Sequence, residues 1–371
     1  MSSDFGKILK TTIFGQSHGK AVGVVMDGLP AGLSIDREAL YAFMARRAPG
    51  RNPWSTARRE TDRPVFLSGL REGLTTGDPL CAIIENQDTR SGDYDLLADT
   101  PRPGHADYAA QIKWKGQADL RGGGHFSGRL TAPLCVAGGI ARQILARYGI
   151  EVGAHLASVG EIEDEAFPLN PNPDLFRAVA AKTFPVLDDA AGDRMKALIE
   201  LVAREGDSIG GTVECVAIGL PAGIGSPMFG GIENRLAQAL FGIPAVKGVE
   251  FGSGFAGSAR RGSRNNDPFV LEAGEIRTAS NHAGGILGGI SSGMPVVLRV
   301  ALKPTPSIAQ PQQSVSLSRQ EPAELSITGR HDPCVALRAV PVVEAVTAIV
   351  LLDLLLEEGV PLLTAESAVT P

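Results

Sequence analysis

Two stretches of sixteen residues, Ser17–Gly32 and Ser208–Gly223, align without a gap, and nine of the sixteen positions are identical. Both end in the same pentapeptide, Gly-Leu-Pro-Ala-Gly, at 28–32 and 219–223. Ahead of it each copy is strand-like, Val22–Met26 in the first and Thr212–Ile218 in the second, rich in β-branched residues. The Gly and Pro residues then mark a turn, and helical patterning follows. Such a unit cannot bury its apolar face alone. Its repetition predicts two related strand–turn–helix halves folded against each other, as one α+β domain spanning 1–371. The copies differ at one chemically telling position, where His18 stands opposite Ile209.

Further elements follow from capping and periodicity. Asp36 caps a helix running to Arg47, and Thr131 with Pro133 opens another reaching Tyr148. Amphipathic spacing predicts a helix over Asp189–Arg204, and Gly242 with Pro244 stops one over Glu233–Phe241. Additional strands are expected at Val65–Leu67, Leu80–Ile84 and Pro295–Leu302. Gly252–Ser280 and Lys303–Gly329 read as long, mobile binding loops.

With 371 residues, 43% of them apolar and 20% charged, the chain has the make-up of a soluble globular protein. A formal net charge of -6 argues against broad nucleic-acid binding. The four cysteines lie far apart and form no Cys-x-x-Cys pair, which predicts reduced thiols in a cytoplasmic protein. Met1–Lys20 lacks a secretory pattern. Val342–Leu356 is the most apolar run, but Glu344 and Asp353 interrupt it, so it reads as a buried helix and not a membrane span.

Five of the six histidines lie within two residues of a glycine in short segments that also carry Ser, Asn, Arg or Asp: His18, His105, His125, His282 and His331. Histidine trades protons near neutral pH, and glycine allows close backbone approach and free amides. Arginines accompany several of them, which points to proton transfer around a bulky anion. Gly122-Gly123-Gly124 precedes a helix, an arrangement that binds anions, and Lys303-Pro304-Thr305-Pro306-Ser307 is a second phosphate seat. Arg46, Arg47, Arg51, Arg58, Arg59 and Arg63 form a basic cluster that is either a solvated face or an anion clamp. Gly15–Gly19 and Gly289–Gly293 fit Gly-x-Ser-x-Gly, but strand patterning follows both serines where a hydrolase needs a helix. No metal-ligand spacing and no dinucleotide fingerprint is read. His155 has no polar neighbours in sequence and is assigned a structural role.

Together these segments resemble the chorismate synthase family over nearly the whole chain. The resemblance rests on Phe14–Gly19, Arg102–Tyr108, Arg121–Ser127, Gly206–Gly210, Ala245–Glu250, Ser280–Gly293 and Gly329–Cys334. It implies a homotetramer with a β-α-β sandwich fold that binds reduced FMN. The implied reaction is anti-1,4-elimination of phosphate from 5-enolpyruvylshikimate 3-phosphate to give chorismate, with no net redox change. It further implies that His18 protonates the leaving phosphate and His105 protonates the flavin. Asp332, relayed through Ser17 and Ser127, would help flavin N5 act as base. Arg47, Arg102, Arg129 and Arg330 would clamp the substrate's anions. FMN would be held by His125, Phe126, Ser127, Pro244, Ala245, Gly288, Lys303, Pro304, Thr305, Pro306, Ser307 and Arg330. The rival reading is a flavin protein of other reductive chemistry. Electrons would come from NADPH directly or, favoured here, from an external flavin reductase.

The chain departs from the family pattern at four places. Gln16 and Leu130 stand where the family has Glu, and His125 and Pro53 where it has Arg. Two anions and two cations are lost together, so the divergence is compensated in charge.

Overall fold

The computed structural model describes residues 3–50, 54–56, 60–87, 99–327 and 331–360. In it the repeated segments supply the central strands of two five-stranded antiparallel sheets. Ala21–Asp27 sits third in the order Asp4–Phe5, Lys10–Gly15, Ala21–Asp27, Leu80–Glu85, Val65–Ser68. Gly211–Ile218 sits third in the order Val246–Phe251, Val296–Leu302, Gly211–Ile218, Glu151–Val159, Ile162–Glu163. The shared pentapeptide has a shared steric cause. Gly28 and Gly219 both take positive φ, 97° and 79°. A Cβ there would strike the carbonyl of Ile8 or of Gly149, each just before the neighbouring strand. Only glycine fits both constraints.

Helices Arg37–Arg47, Thr131–Ala146, Ile232–Leu240 and Ala336–Glu357 form the layer between the sheets. Thr131–Ala146 touches strands of both sheets, and Ala336–Glu357 packs along it and against Glu151–Val159 and Gly211–Ile218. One continuous apolar cluster runs through all three layers, the sandwich that the resemblance implied.

Ala336–Glu357 has the length and hydropathy of a membrane span, but 94% of its most apolar window is buried inside the protein. Its two buried carboxylates, Glu344 and Asp353, are paired with arginines of the neighbouring helices. Glu344 accepts from Arg46 at 2.6 Å and lies 3.0 Å from Arg142. Burial would raise the Glu344 carboxyl, but Arg46 and Arg142 outweigh it and hold it below its usual value. Asp353 pairs with Arg235 and accepts the backbone N–H groups of Lys7, Ile8 and Leu9. Each half thus sends one arginine, Arg46 or Arg235, to the central helix.

Asp36 caps Arg37–Arg47 by accepting from Glu38 and Ala39 N–H, and Asp189–Arg204 is a helix with Asp188 as its cap. The two expected loops are partly ordered. Phe269–Glu272 pairs with Glu275–Thr278, and Gln312–Ser316 with Glu321–Leu325. These hairpins stand largely exposed, so neither face carries the apolar alternation that marks a strand. Contrary to the expectation of no dinucleotide fingerprint, a Gly-x-Gly-x-x-Gly stands at 252–257. It follows strand Val246–Phe251, but the sheet is antiparallel and the helix it opens has four residues. The Phe255 N–H donates to Glu250, so a carboxylate occupies the place an anion would take.

His155 has the structural role expected, yet its polar surroundings were not visible in sequence. It is fully buried, with Nδ1 2.8 Å from Asp164 and Nε2 3.0 Å from Glu214. Burial disfavours its charged form, but the bonds to Asp164 and Glu214 prevail and raise its pKa above the ordinary imidazole value. Such a group stabilises fully below the unfolded pKa of about 6.5 and less as pH climbs through the folded value. His155→Leu is expected to cost about 3–5 kcal/mol by stranding two buried carboxylates. The gap between wild-type and variant denaturation midpoints should narrow from pH 6 upward; a gap independent of pH contradicts this reading.

Candidate active site

A cavity of about 900 Å³ opens where the glycine loop, the end of Arg37–Arg47, the start of Ala336–Glu357 and residues 303–307 converge. At its floor, Asp62 bridges Arg47 and Arg129. All three side chains are almost wholly buried, and the Asp62 carboxylate accepts from both guanidinium groups. Burial would raise Asp62, but the two arginines outweigh it and keep its carboxyl below the usual range. Arg47 also donates to Thr131 Oγ1 at 3.0 Å and to the Gly128 carbonyl. Arg129 donates to Asn86 Oδ1 at 2.8 Å and to the Glu85 carbonyl. Each guanidinium thus engages all three of its nitrogens with protein partners, which leaves two of its five N–H donors, and both residues line the cavity. Burial, aided by Arg47 and opposed by Asp62, lowers the Arg129 pKa, as expected where two cations share one anion. The alternative of a solvated basic face fails for Arg46 and Arg47. Arg63 instead stacks on Tyr41 at 4.7 Å, while Arg51, Arg58 and Arg59 lie outside the described residues.

The Arg102-Pro-Gly-His105-Ala-Asp107 segment folds back on itself at Gly104, whose φ is 74°. Asp107, fully buried, accepts from Arg102 Nε and Nη2, both at 2.7 Å, and lies 2.6 Å from His105 Nδ1. Burial would raise its pKa, but Arg102 and His105 hold it well below the carboxylate range. Arg102 Nη1 donates to Ser307 Oγ at 3.2 Å. The expected clamp Arg102 thus lines the cavity but directs three of its N–H donors to protein partners. The Nε2 edge of His105 is turned to the cavity beside Gly123.

His18 and Ser17 come from the turn between Lys10–Gly15 and Ala21–Asp27. A strand and not a helix follows Ser17, which removes the hydrolase reading. The glycine loop presses on this turn, since a Cβ at Gly122 would overlap the His18 ring and crowd Ser17 Oγ. The Ser17 N–H donates to the Gly124 carbonyl at 3.1 Å. His125, at the rim, has Nδ1 2.8 Å from the Gly15 carbonyl and Nε2 2.9 Å from Ser3 Oγ. Both nitrogens are engaged by the protein, so its free ring surface is what it offers a ligand. Phe126 lines the cavity and packs on Trp114 at 5.6 Å. Ser127 caps the next turn by accepting from Arg129 N–H. Leu130 is buried in the apolar cluster and also borders the cavity.

On the opposite wall, Asp332 accepts from Thr56 N–H at 2.9 Å and Arg338 Nη1 at 2.7 Å. Among the described residues no direct hydrogen bond joins Asp332 to Ser17 or Ser127, so the expected relay is not made by direct contact. Lys303, Thr305, Pro306, Ser307, Pro244 and Ala245 all line the cavity. Burial and the nearby Lys247 lower the Lys303 amine from its usual value. Lys303 Nζ donates to the Gly104 carbonyl, and with Lys247 it puts two cations on this wall of the cavity. Leu134, Val342, Val346 and Ile349 add an apolar wall. A phosphate seat beside an apolar slot fits a phosphorylated planar ring system such as FMN.

Two expected residues are not assembled here. Gly288 lies in the turn of the Ile286–Leu287/Ile290–Ser291 hairpin, which bridges to Gly225 away from the cavity. The Pro304 ring lies against Gly210 and is not part of the lining. Arg330, like Pro53, falls outside the described residues. His331 lines the cavity, whereas His282 sits 3.2 Å from Asp267 elsewhere. Sequence reading missed Asp62, Asp107, Asn86 and Arg338. Of these, only Asp107 carried a signal, its place in the arginine–histidine segment.

The chorismate synthase family profile matches residues 9–356. A chorismate synthase of Dehalococcoides mccartyi is 48% identical over 360 residues, covering 97% of this chain and 98% of the relative. One from Thermococcus gammatolerans is 49% identical over 356 residues, covering 95% and 97%. A crystal structure of chorismate synthase superposes with a TM-score of 0.75 at 30% identity, covering 95% of this chain and 93% of the other.

Proposed function

The chain belongs to the chorismate synthase family of carbon–oxygen lyases, and from that premise we propose how its residues carry the elimination of phosphate from 5-enolpyruvylshikimate 3-phosphate. The observation that carries the reading is the convergence of His18, His105 and the fixed Arg47–Asp62–Arg129 set on one cavity. Arg47 and Arg129 bind the substrate's phosphate and carboxylates through their remaining N–H donors. His18 delivers a proton to the departing phosphate, and His105 holds a mobile proton at its cavity-facing Nε2. Asp332, held by Arg338 and Thr56, presents a carboxylate beside the reacting atoms.

Reduced FMN, when bound, supplies the electron density that helps expel phosphate and the basic nitrogen that takes the C6 hydrogen. Lys303 and Lys247 hold its phosphate, with the Ser307 and Thr305 hydroxyls beside them. Phe126 and the face of His125 border its ring. Oxidised or reduced FMN added to the chain is expected to bind, read by quenching of flavin fluorescence or by absorbance. Lys303→Glu should weaken that binding at least about tenfold, by replacing a partly desolvated cation with an anion. Unchanged affinity removes Lys303 from the cofactor site.

We assign the chain to the cytoplasm on its four free thiols; a secreted, oxidised form would overturn that. A homotetramer is supported by the exposed apolar side chains Phe255, Phe269, Leu271 and Ile276; a monomeric mass in light scattering would remove it. An external reductase supplies the electrons; aerobic turnover with NADPH and FMN alone would transfer that role to this chain.

A further inference from the structure

We propose that Asp107 is a positioning residue that sets the tautomer of His105, keeping the neutral ring's proton on Nδ1 and leaving Nε2 bare toward the cavity. The proposal rests on the reading of His105 as the residue that carries a mobile proton at that edge. It starts from a count of donors and acceptors. Arg102 only donates, and an ionised carboxylate only accepts. Asp107 is buried, and it accepts the backbone N–H of Arg102 at 3.1 Å as well as Nε and Nη2 of the same residue. That company favours the ionised form, in line with the low Asp107 pKa.

His105 Nδ1 then lies between two groups, Asp107 Oδ1 at 2.6 Å and Arg102 Nη2 at 3.0 Å. A bare Nδ1 would set its lone pair against the carboxylate's at the shorter of the two distances. A protonated Nδ1 makes a short charge-assisted bond there. Arg102 Nη2 meanwhile donates to the same Oδ1 at 2.7 Å. Nδ1–H is the one assignment that satisfies all three groups.

The consequence is directional. Asp107 and Arg102 cancel each other's charge, so the resting ring sits beside a neutral pair. A proton taken up by His105 must arrive on Nε2, the edge that faces the cavity beside Gly123. Gly104, in its left-handed turn, lets residues two before and one after it meet at the first turn of helix Asp107–Lys113. The contiguity of Arg102, His105 and Asp107 in sequence therefore has a physical reason.

The test uses the chain selectively labelled with 15N-histidine, without flavin or substrate, at a pH where the ring is neutral. Long-range 1H–15N spectra identify the His105 signals by their loss in His105→Gln. The expected result is a protonated Nδ1 and a bare Nε2 in the wild type. In Asp107→Asn the side-chain amide can donate to Nδ1, and the proton is expected to move to Nε2. Turnover should then fall, by as much as about 10⁴-fold, the loss known when the carboxylate behind a general-base histidine of a serine protease becomes an amide. A bare Nδ1 in the wild type overturns the proposal even if Asp107→Asn fails to fold. An unshifted tautomer in a folded Asp107→Asn overturns it as well. Unimpaired turnover of His105→Gln would instead remove the proton-carrying role while leaving the tautomer result to stand on its own.

Discussion

His18→Ala is expected to lower turnover by about 10²–10⁴-fold, the usual contribution of a positioned general acid, with little change in denaturation midpoint. The two readouts separate because of where the ring sits. His18 is held in the turn between two strands and lies against Gly122, on the surface of the cavity and not in the apolar cluster. Removing it enlarges a cavity that is already open and leaves no empty hole in the core, so the cavity penalty of a core truncation does not apply. The anion-binding arginines remain in place, so KM should move far less than kcat. A phosphate that departs without its proton is a poor leaving group, and the loss should therefore appear in the chemical step. Near-wild-type turnover would take His18 out of the mechanism.

Arg129→Lys is expected to lower kcat/KM by roughly 10- to 150-fold, the worth of a charge-assisted hydrogen bond of about 1.5–3 kcal/mol. The substitution keeps the charge and loses the fork. Arg129 reaches Asp62, Asn86 and the Glu85 carbonyl with different nitrogens while keeping further donors for the cavity. A lysine ammonium is a single point with three donors and cannot span those partners. It will settle toward Asp62 and withdraw from the ligand. Arg46→Lys is the matched control, because Arg46 forks onto Glu344 in the helix layer with Nη1 and Nη2 at 2.7 and 2.6 Å. It should alter stability and leave kcat/KM alone. Equal kcat/KM in wild type and Arg129→Lys would show that the fork is structural only.

What the sequence disclosed, and what it hid, follows from whether a constraint is local. The repeat at Ser17 and Ser208 was legible because its glycines answer a steric demand within a few residues. It predicted two related halves, while the pairing of each half with the central helix through Arg46 and Arg235 emerged only in the fold. The hairpins at 269–278 and 312–325 were hidden, since exposed strands lack a buried face to imprint alternation. The histidines and arginines announced themselves by residue type. Their partners did not: Asp62 looks like any loop aspartate until the fold brings Arg47 and Arg129 to it. Arg338 sits eight residues after Arg330 in a run that reads only as helix, yet it holds Asp332. Gly288 shows the converse limit, a position marked by family resemblance that the fold of one chain leaves away from the cavity.

The central claim, that this cavity eliminates phosphate without consuming its flavin, is tested most directly in one anaerobic vessel. The chain is mixed with reduced FMN and an excess of 5-enolpyruvylshikimate 3-phosphate, and chorismate, phosphate and the flavin spectrum are followed together. The account predicts chorismate and phosphate in equal amounts over many turnovers, with the flavin still reduced at the end. No product despite ample substrate and reduced flavin, or one flavin oxidised for each product formed, would contradict it.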